Sequence, residues 1–442
     1  MKILIISLGC DKNLVDTEKM IGLLSARGYE FTDDEAEAEA VIVNTCCFIG
    51  DAKEESINTL LEMGELRKSG KIKALIASGC LSERYKNEIQ KEIPEVDALI
   101  GTMSVPDIAD TLDSVLKGAP SNSFRPLTSD PTIRSKRVLT TGGHFAYLKI
   151  AEGCDKNCTY CIIPKVRGGY RSIPMEELVA EAEKLAKDGV KELILVAQET
   201  TLYGKDLYGK KSLPELLRKL CKISGLYWIR ILYCYPEEIN DELIETIATE
   251  KKICHYLDIP VQHASDDVLR RMGRWTNQKQ LRDMIGKLRE RIPDIALRTT
   301  LISGFPGETQ EDFEELYRFV NDMEFDRLGV FPYSREEDTV AGEMADQIDD
   351  EVKNFRRDEL MQLQQAIVFE KNEKLPGTVL TVMVEGKVAD EDTYVTRTYR
   401  DAPGVDGYLF LNTTANLMTG DFVKVLVTDT NDYDLIGEIY NG

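Results

Sequence analysis

The sequence predicts an α/β protein in three parts: an N-terminal parallel-sheet α/β domain, a longer partial (βα) barrel, and a small C-terminal antiparallel β-barrel. Three observations carry this prediction. Short apolar runs alternate with amphipathic stretches over the first 120 residues. The same alternation resumes six times between Phe145 and Pro332, and beyond Asn372 it gives way to period-two runs broken by Gly, Asp and Pro. Strand–helix alternation demands parallel strands covered by helices, whereas short alternating runs joined by tight turns favour a closed antiparallel sheet.

In the first part, residues 1–120, Ile3–Ile6, Val41–Val43, Ala74–Ala77 and Ala98–Ile100 read as buried strands. Leu14–Ala26, Asp51–Arg67 and a stretch near Ser82–Ile93 read as the helices between them. A linker at 121–141 is rich in Pro, Ser and Thr and locally basic, with Arg134, Lys136 and Arg137. The second part, 142–371, offers strands at Ala146–Ile150, Leu193–Ala197, Trp228–Leu232, Leu257–Pro260, Leu297–Ile302 and Leu328–Phe331. Met175–Asp188 and Gln278–Arg291 are among its helices, and Val352–Lys374 is one helix leading away. The third part, 372–442, reads as about five strands, among them Val379–Val384 and Phe422–Val427.

Composition narrows the function classes. The 442 residues carry a formal charge of −22, which repels nucleic acid unless a basic patch is segregated. The apolar N-terminal stretch before Asp11 is too short for a secretory or spanning segment, and Leu8-Gly9-Cys10 lacks the long run of a lipoprotein signal. A cytoplasmic protein without membrane contact is expected. Ten cysteines in a reducing compartment point to metal or catalysis rather than disulfides. With three histidines, His144, His255 and His263, zinc and Ser-His-Asp chemistry have little to work with. His263 reads as an ordinary strand-end residue, and no general acid or base stands out.

Cys154, Cys158 and Cys161 form Cys-x3-Cys-x2-Cys directly after the first strand of the second part. Three thiolates so close can hold three irons of a 4Fe-4S cubane and leave the fourth open. An open iron suits a chelating cosubstrate such as S-adenosylmethionine (SAM), whose amino and carboxylate groups can bind there. A zinc knot would need a fourth ligand at matching spacing, and the next cysteine is Cys221. This motif resembles the radical SAM superfamily. The resemblance implies that Tyr160 lies beside the adenine and that Gln198, followed by Glu199, contacts the SAM amino group. Leu301–Glu308 resembles the superfamily's fifth-strand glycine motif, although Thr300 stands where glycine is common.

Cys10, Cys46 and Cys80 each follow an apolar strand, one strand–helix repeat apart. Parallel strands end on one edge, so these three dispersed thiols are expected to converge and hold a second cluster. Gly9 and Gly79 are expected to allow close approach of a bulky inorganic group. Cys47 competes with Cys46 but should point away if Cys46 faces the edge. Cys221, Cys234 and Cys254 read as packing.

The three parts together resemble the methylthiotransferase family of radical SAM enzymes over essentially the whole chain. The resemblance implies two 4Fe-4S clusters, with SAM consumed both as methyl donor and as radical source. It also implies a reductant such as flavodoxin or ferredoxin, a monomer, and a TRAM domain that grips the substrate. Family members act on transfer-RNA adenosines or on the β-carbon of an aspartate in small-subunit ribosomal protein twelve. From Asn372 onward twelve acidic residues face five basic ones, a poor match for phosphates and a good one for a basic ribosomal protein. Gly9–Asp16 also resembles the ribosomal-protein (RimO-type) branch, so nucleic acid is not the expected substrate. The alternative is a transfer-RNA enzyme that uses the basic linker from Arg134 to Arg137 as its RNA contact. A non-catalytic iron–sulfur sensor is a third class, disfavoured by the paired motifs.

Overall fold

The computed structural model describes residues 1–119 and 121–441. Five strands, β1 (Lys2–Ser7), β2 (Glu30–Phe31), β3 (Ala40–Thr45), β4 (Ala74–Gly79) and β5 (Ala98–Ile100), form a parallel sheet in the order β2-β1-β3-β4-β5. β3 and β4 are buried along their whole length, because helices cover both faces, and so they read as unbroken apolar runs. The two-residue β2 carries no sequence signal and pairs at the sheet edge. The expected helix near Ser82–Ile93 is two helices, Cys80–Tyr85 and Asn87–Glu92, broken where Lys86 adopts φ 46°.

The second sheet is open and fully parallel, in the order β13-β12-β11-β10-β9-β6. Its strands are β6 (Phe145–Lys149), β9 (Glu192–Val196), β10 (Trp228–Ile231), β11 (Ile253–Asp258), β12 (Ala296–Ser303) and β13 (Arg327–Pro332). A small antiparallel ribbon, β7 (Ala151–Glu152) with β8 (Arg171–Ser172), lies between the first two. β11 starts four residues before the expected Leu257, because the polar Cys254-His255-Tyr256 run hides a strand whose inner side chains meet another domain.

Side-chain alternation sorts the barrel's two faces. Leu193 and Leu195 pack outward under helices, while Ile194 and Val196 join Tyr147, Trp228 and Tyr256 on the inner face. That inner face is covered by Val15 of the N-terminal helix Asp11–Ala26 and by Met383 and Ala402 of the C-terminal barrel. The covering surface also carries buried ion pairs. Arg230 donates to Glu192 at 2.7 Å, Arg397 pairs with the same carboxylate, and Tyr256 donates to Asp406 at 2.7 Å.

The C-terminal strands β14 (Val379–Lys387), β15 (Thr393–Thr398), β16 (Leu409–Asn412), β17 (Phe422–Asn431) and β18 (Asp434–Ile439) close into a barrel. One pairing differs from the antiparallel expectation: β16 and β18 run parallel. Closure requires β18 to fill the gap beside β16, and the hairpin from β17 fixes its direction. Among the described residues no helix is long and apolar enough to cross a membrane.

Candidate functional site

The C-terminal ends of β1, β3 and β4 share one edge, and Cys10, Cys46 and Cys80 stand there. Asn13 ties two of these ends together, donating from Nδ2 to Leu8 O and Thr45 O, each at 3.0 Å. Asn44 braces it in return, donating to Asn13 O at 2.8 Å. Ser56 clamps the β3 end further, accepting from Cys46 N and donating to Cys46 O, both at 2.9 Å. The thiols lie within electrostatic reach of one another. Burial, then Cys80 and Cys10, pushes the Cys46 thiol up to about 12, and burial also raises Cys80. Cys47 is fully buried among Val41, Val43 and Leu60, in the core beneath the edge.

Gly9 and Gly79 are also required by the protein itself. Both have positive φ, and a Cβ at either would collide with the protein itself: with Cys46 Cβ at 2.6 Å, or with Thr45 O at 2.6 Å. The glycines let neighbouring strand ends approach each other.

The second trio follows β7. Gly153, at φ +77°, faces Gly169 O at 2.2 Å from where a Cβ would stand, so only glycine fits before Cys154. The loop is pinned at both ends. Cys154 N donates to Gly168 O at 3.1 Å, Tyr170 N to Asp155 Oδ1 at 2.9 Å, and Thr159 N to Met272 O at 2.9 Å. Burial pushes the Cys154 thiol up to about 12 and raises Cys161, with each further lifted by Cys158. Cys158 Sγ lies 3.6 Å from Tyr235 Oη.

The Tyr160 ring is partly buried and meets Phe305 edge-on at 6.5 Å, which sets it beside the Gly304–Gly307 turn. Gln198 is engaged by the protein: it accepts from Gly153 N and donates to Glu152, both at 2.9 Å, and so braces the start of the cysteine loop. Glu199 is fully buried, its Oε2 has no partner among the described residues, and burial holds it up at about 8. Sequence reasoning missed Arg274. Its guanidinium stacks 4.3 Å over Tyr235 and donates from Nη2 to Pro260 O at 2.9 Å, while buried Nε and Nη1 have no partner among the described residues. A lone arginine after a short helix carries no sequence signal; only burial beside Cys158 singles it out.

His263 is wholly buried, accepting from Ser265 N at 3.0 Å with Nε2 3.6 Å from Glu308, and takes no part in this edge. Cys234 and Cys254 are core residues and Cys221 packs against the core. Among the described residues no three His, Cys, Asp or Glu side chains sit at the spacing of a single metal ion. That spacing is what a zinc knot demands. Burial raises Cys46, Cys80, Cys154 and Cys161, and thiol ligand sets of this kind fit an iron–sulfur group, whose positive metal would neutralise the thiolates.

The two trios belong to adjoining edges. Lys12, two residues after Cys10, lies 3.3 Å from the centre of the Tyr233 ring beyond β10, and Arg84 of the Cys80–Tyr85 helix pairs with Glu336 at 2.9 Å. Buried Arg167 reaches from the second loop to Cys80.

Three family models match the chain: the radical SAM superfamily at residues 148–320, the uncharacterized protein family UPF0004 at 2–101, and the TRAM domain at 377–439. The chain is 62% identical over 437 residues to the ribosomal protein uS12 methylthiotransferase RimO of Lachnoclostridium phytofermentans, covering 99% of each chain. It is 51% identical to the protein of that name from Acetivibrio thermocellus, covering 100% of this chain and 98% of the other. For that of Clostridioides difficile the figures are 48% identity and 99% of each. Among solved structures, the radical SAM methyltransferase TsrM of Kitasatospora setae aligns with TM-score 0.56 at 14% identity over 77% of each chain. The cobalamin-dependent SAM radical enzyme OxsB aligns with TM-score 0.52 at 13% identity, over 84% of this chain and 56% of the other. At those identities the likeness concerns the fold alone. The relatives span the full length at about half identity or more, and this chain belongs to the RimO family of ribosomal protein uS12 methylthiotransferases.

Proposed function

We propose that the chain attaches a methylthio group to the β-carbon of an aspartate in ribosomal protein uS12. The observation that carries this reading is the pair of cysteine trios on adjoining strand edges, in which burial raises Cys46 and Cys80 of one and Cys154 and Cys161 of the other. Cys154, Cys158 and Cys161 would hold one 4Fe-4S cluster and Cys10, Cys46 and Cys80 the other. When bound, these groups supply an electron to cleave SAM and a sulfur for transfer to carbon.

The chain's own residues prepare the ground. Arg274, with two unpartnered buried nitrogens, fits a carboxylate, and Glu199, with one unpartnered buried oxygen, fits an ammonium. Set near Cys158 and Cys154 respectively, they match the zwitterionic end of SAM. Tyr160 and Phe305 offer an aromatic corner for the adenine. Gln198 supports this site by holding Gly153 rather than by reaching the amino group.

The acidic tail favours a basic protein substrate. Several of its charges serve intramolecular pairs: Glu385 with His144, Asp401 with Arg327 and Asp406 with Arg298, and on the basic side Arg397 with Glu192 and Arg400 with Asp326. The remaining tail charges are still predominantly acidic. The linker that an RNA contact would need is engaged elsewhere. Arg137 is buried against Glu18 and Glu181, and Arg134 pairs with Glu177. A flavodoxin- or ferredoxin-type donor and a monomeric enzyme complete the reading. The test is mass analysis of uS12 and bulk transfer RNA from cells lacking the gene, with anaerobic iron analysis of the purified protein. Loss of a methylthio group from RNA but not from uS12 sinks the substrate assignment; a single cluster per chain sinks the two-site reading.

A further inference from the structure

Arg167 ends the short helix Ile163–Arg167, six residues after Cys161, and is buried. Its Nε lies 3.4 Å from Cys80 Sγ, in the other trio. Nη1 donates to Asp16 Oδ2 at 2.8 Å and Glu152 Oε2 at 3.1 Å, and Nη2 donates to Asn13 Oδ1. Lys149 donates to the same Glu152 oxygen at 2.8 Å and to Asp16. Glu152 in turn accepts from Gln198, which accepts from Gly153 N. A continuous chain of hydrogen bonds therefore runs from the Cys80 sulfur to the residue preceding Cys154.

The charges in this chain settle what Arg167 contributes. Two buried cations, Arg167 and Lys149, face two buried carboxylates, Asp16 and Glu152, so the quartet is neutral as a unit. Asp16 and Glu152 thus offset much of the charge that Arg167 brings to the sulfur. What remains is a directed N–H donor, held by Asp16, Glu152 and Asn13 so that the guanidinium cannot turn away. Hydrogen bonds to ligand sulfurs are among the protein's levers on an iron–sulfur potential, because they stabilise the more electron-rich state.

We propose that Arg167 is a positioning residue that raises the reduction potential of the cluster held by Cys10, Cys46 and Cys80, while keying that cluster to the loop that carries the other. The inference rests on the two-cluster reading, and the test separates the two. Full-length protein with Cys154, Cys158 and Cys161 replaced by Ala is reconstituted anaerobically, and iron is measured first. About four irons per chain are expected; none would overturn the reading and the inference with it.

In that background the potential is titrated by EPR with Arg167→Lys and Arg167→Met. Lysine keeps the charge but cannot span Cys80, Asp16 and Asn13 together. Both variants are expected to shift the midpoint to more negative values. A lysine variant that matches the parent shows that charge, not the N–H donor, matters, and overturns the proposal. A second measurement needs no Arg167 variant: protein labelled with 15N-arginine is expected to show a nitrogen hyperfine coupling to the reduced cluster, and its absence overturns the assignment even if the variants fail to fold.

Discussion

Replacing Gly79 with Ala tests the strand-end geometry on which the N-terminal trio depends. Gly79 has φ 92° and ψ −154°, a region that only glycine occupies without strain. Holding an L-residue there costs about 1–3 kcal/mol. The new methyl group would also stand 2.4 Å from Asn44 Oδ1, 2.6 Å from Thr45 O and 3.0 Å from Thr45 N. The last two are backbone atoms of β3 and cannot rotate away, and such overpacking adds about 1–3 kcal/mol. The total, about 2–6 kcal/mol, falls on β4 and on the strand end that presents Cys46.

Gly70 provides the control. It has φ +75° with nothing within 4 Å of its would-be Cβ, so Gly70→Ala carries the conformational cost of about 1–2 kcal/mol alone. Hydrogen exchange of the 74–79 segment reads the difference. At a tenfold change per 1.4 kcal/mol, Gly79→Ala is expected to reduce protection by about thirty-fold to twenty-thousand-fold. Gly70→Ala is expected to lower it by about thirty-fold or less. Equal protection in the two variants, or unchanged iron binding in Gly79→Ala, would refute the claim that close strand approach requires glycine before Cys80.

Three further outcomes follow from the buried charges. Burial holds Glu199 at about 8 against an ordinary 4.5, so the folded state binds a proton that the unfolded state has released. Stability of the metal-free protein should therefore fall as pH rises from about 4.5 to about 8, by a few kcal/mol, and Glu199→Gln should flatten that slope; denaturant titrations at pH 5 and pH 8 decide. Arg137→Ala should destabilise by about 3–5 kcal/mol, since it leaves Glu18 buried without its cation, whereas Arg134→Ala should leave stability unchanged. Neither should alter transfer-RNA affinity in a filter-binding assay; a loss confined to these variants would revive the RNA reading. Arg274→Met should weaken SAM binding, measured by equilibrium dialysis, by tenfold or more, because the carboxylate loses a charge-assisted partner; unchanged affinity removes Arg274 from the site.

The sequence by itself determined the order of the principal strands and the place of both cysteine trios at strand ends. Apolar runs in β1, β3, β4 and β5 and the spacing Cys154–Cys158–Cys161 are local features, and parallel strands place their ends on a common edge whatever else the chain does. It failed where a side chain's role depends on residues far away. The inner face of β11 is half polar in sequence because Tyr256 meets Asp406 of the C-terminal barrel and Arg230, whose partner Glu192 also takes up Arg397 from that barrel. Arg134 and Arg137 look free in a basic linker, yet Glu177, Glu18 and Glu181 take them up.

Gln198 is legible as a strand-end amide but not as the brace of Gly153, and Arg167 and Arg274 are invisible without burial. Only the tertiary structure decided those roles. A thiol trio is set by covalent spacing and strand direction, whereas the pairing of a buried charge is set by whichever opposite group the packed domains bring within a few ångströms.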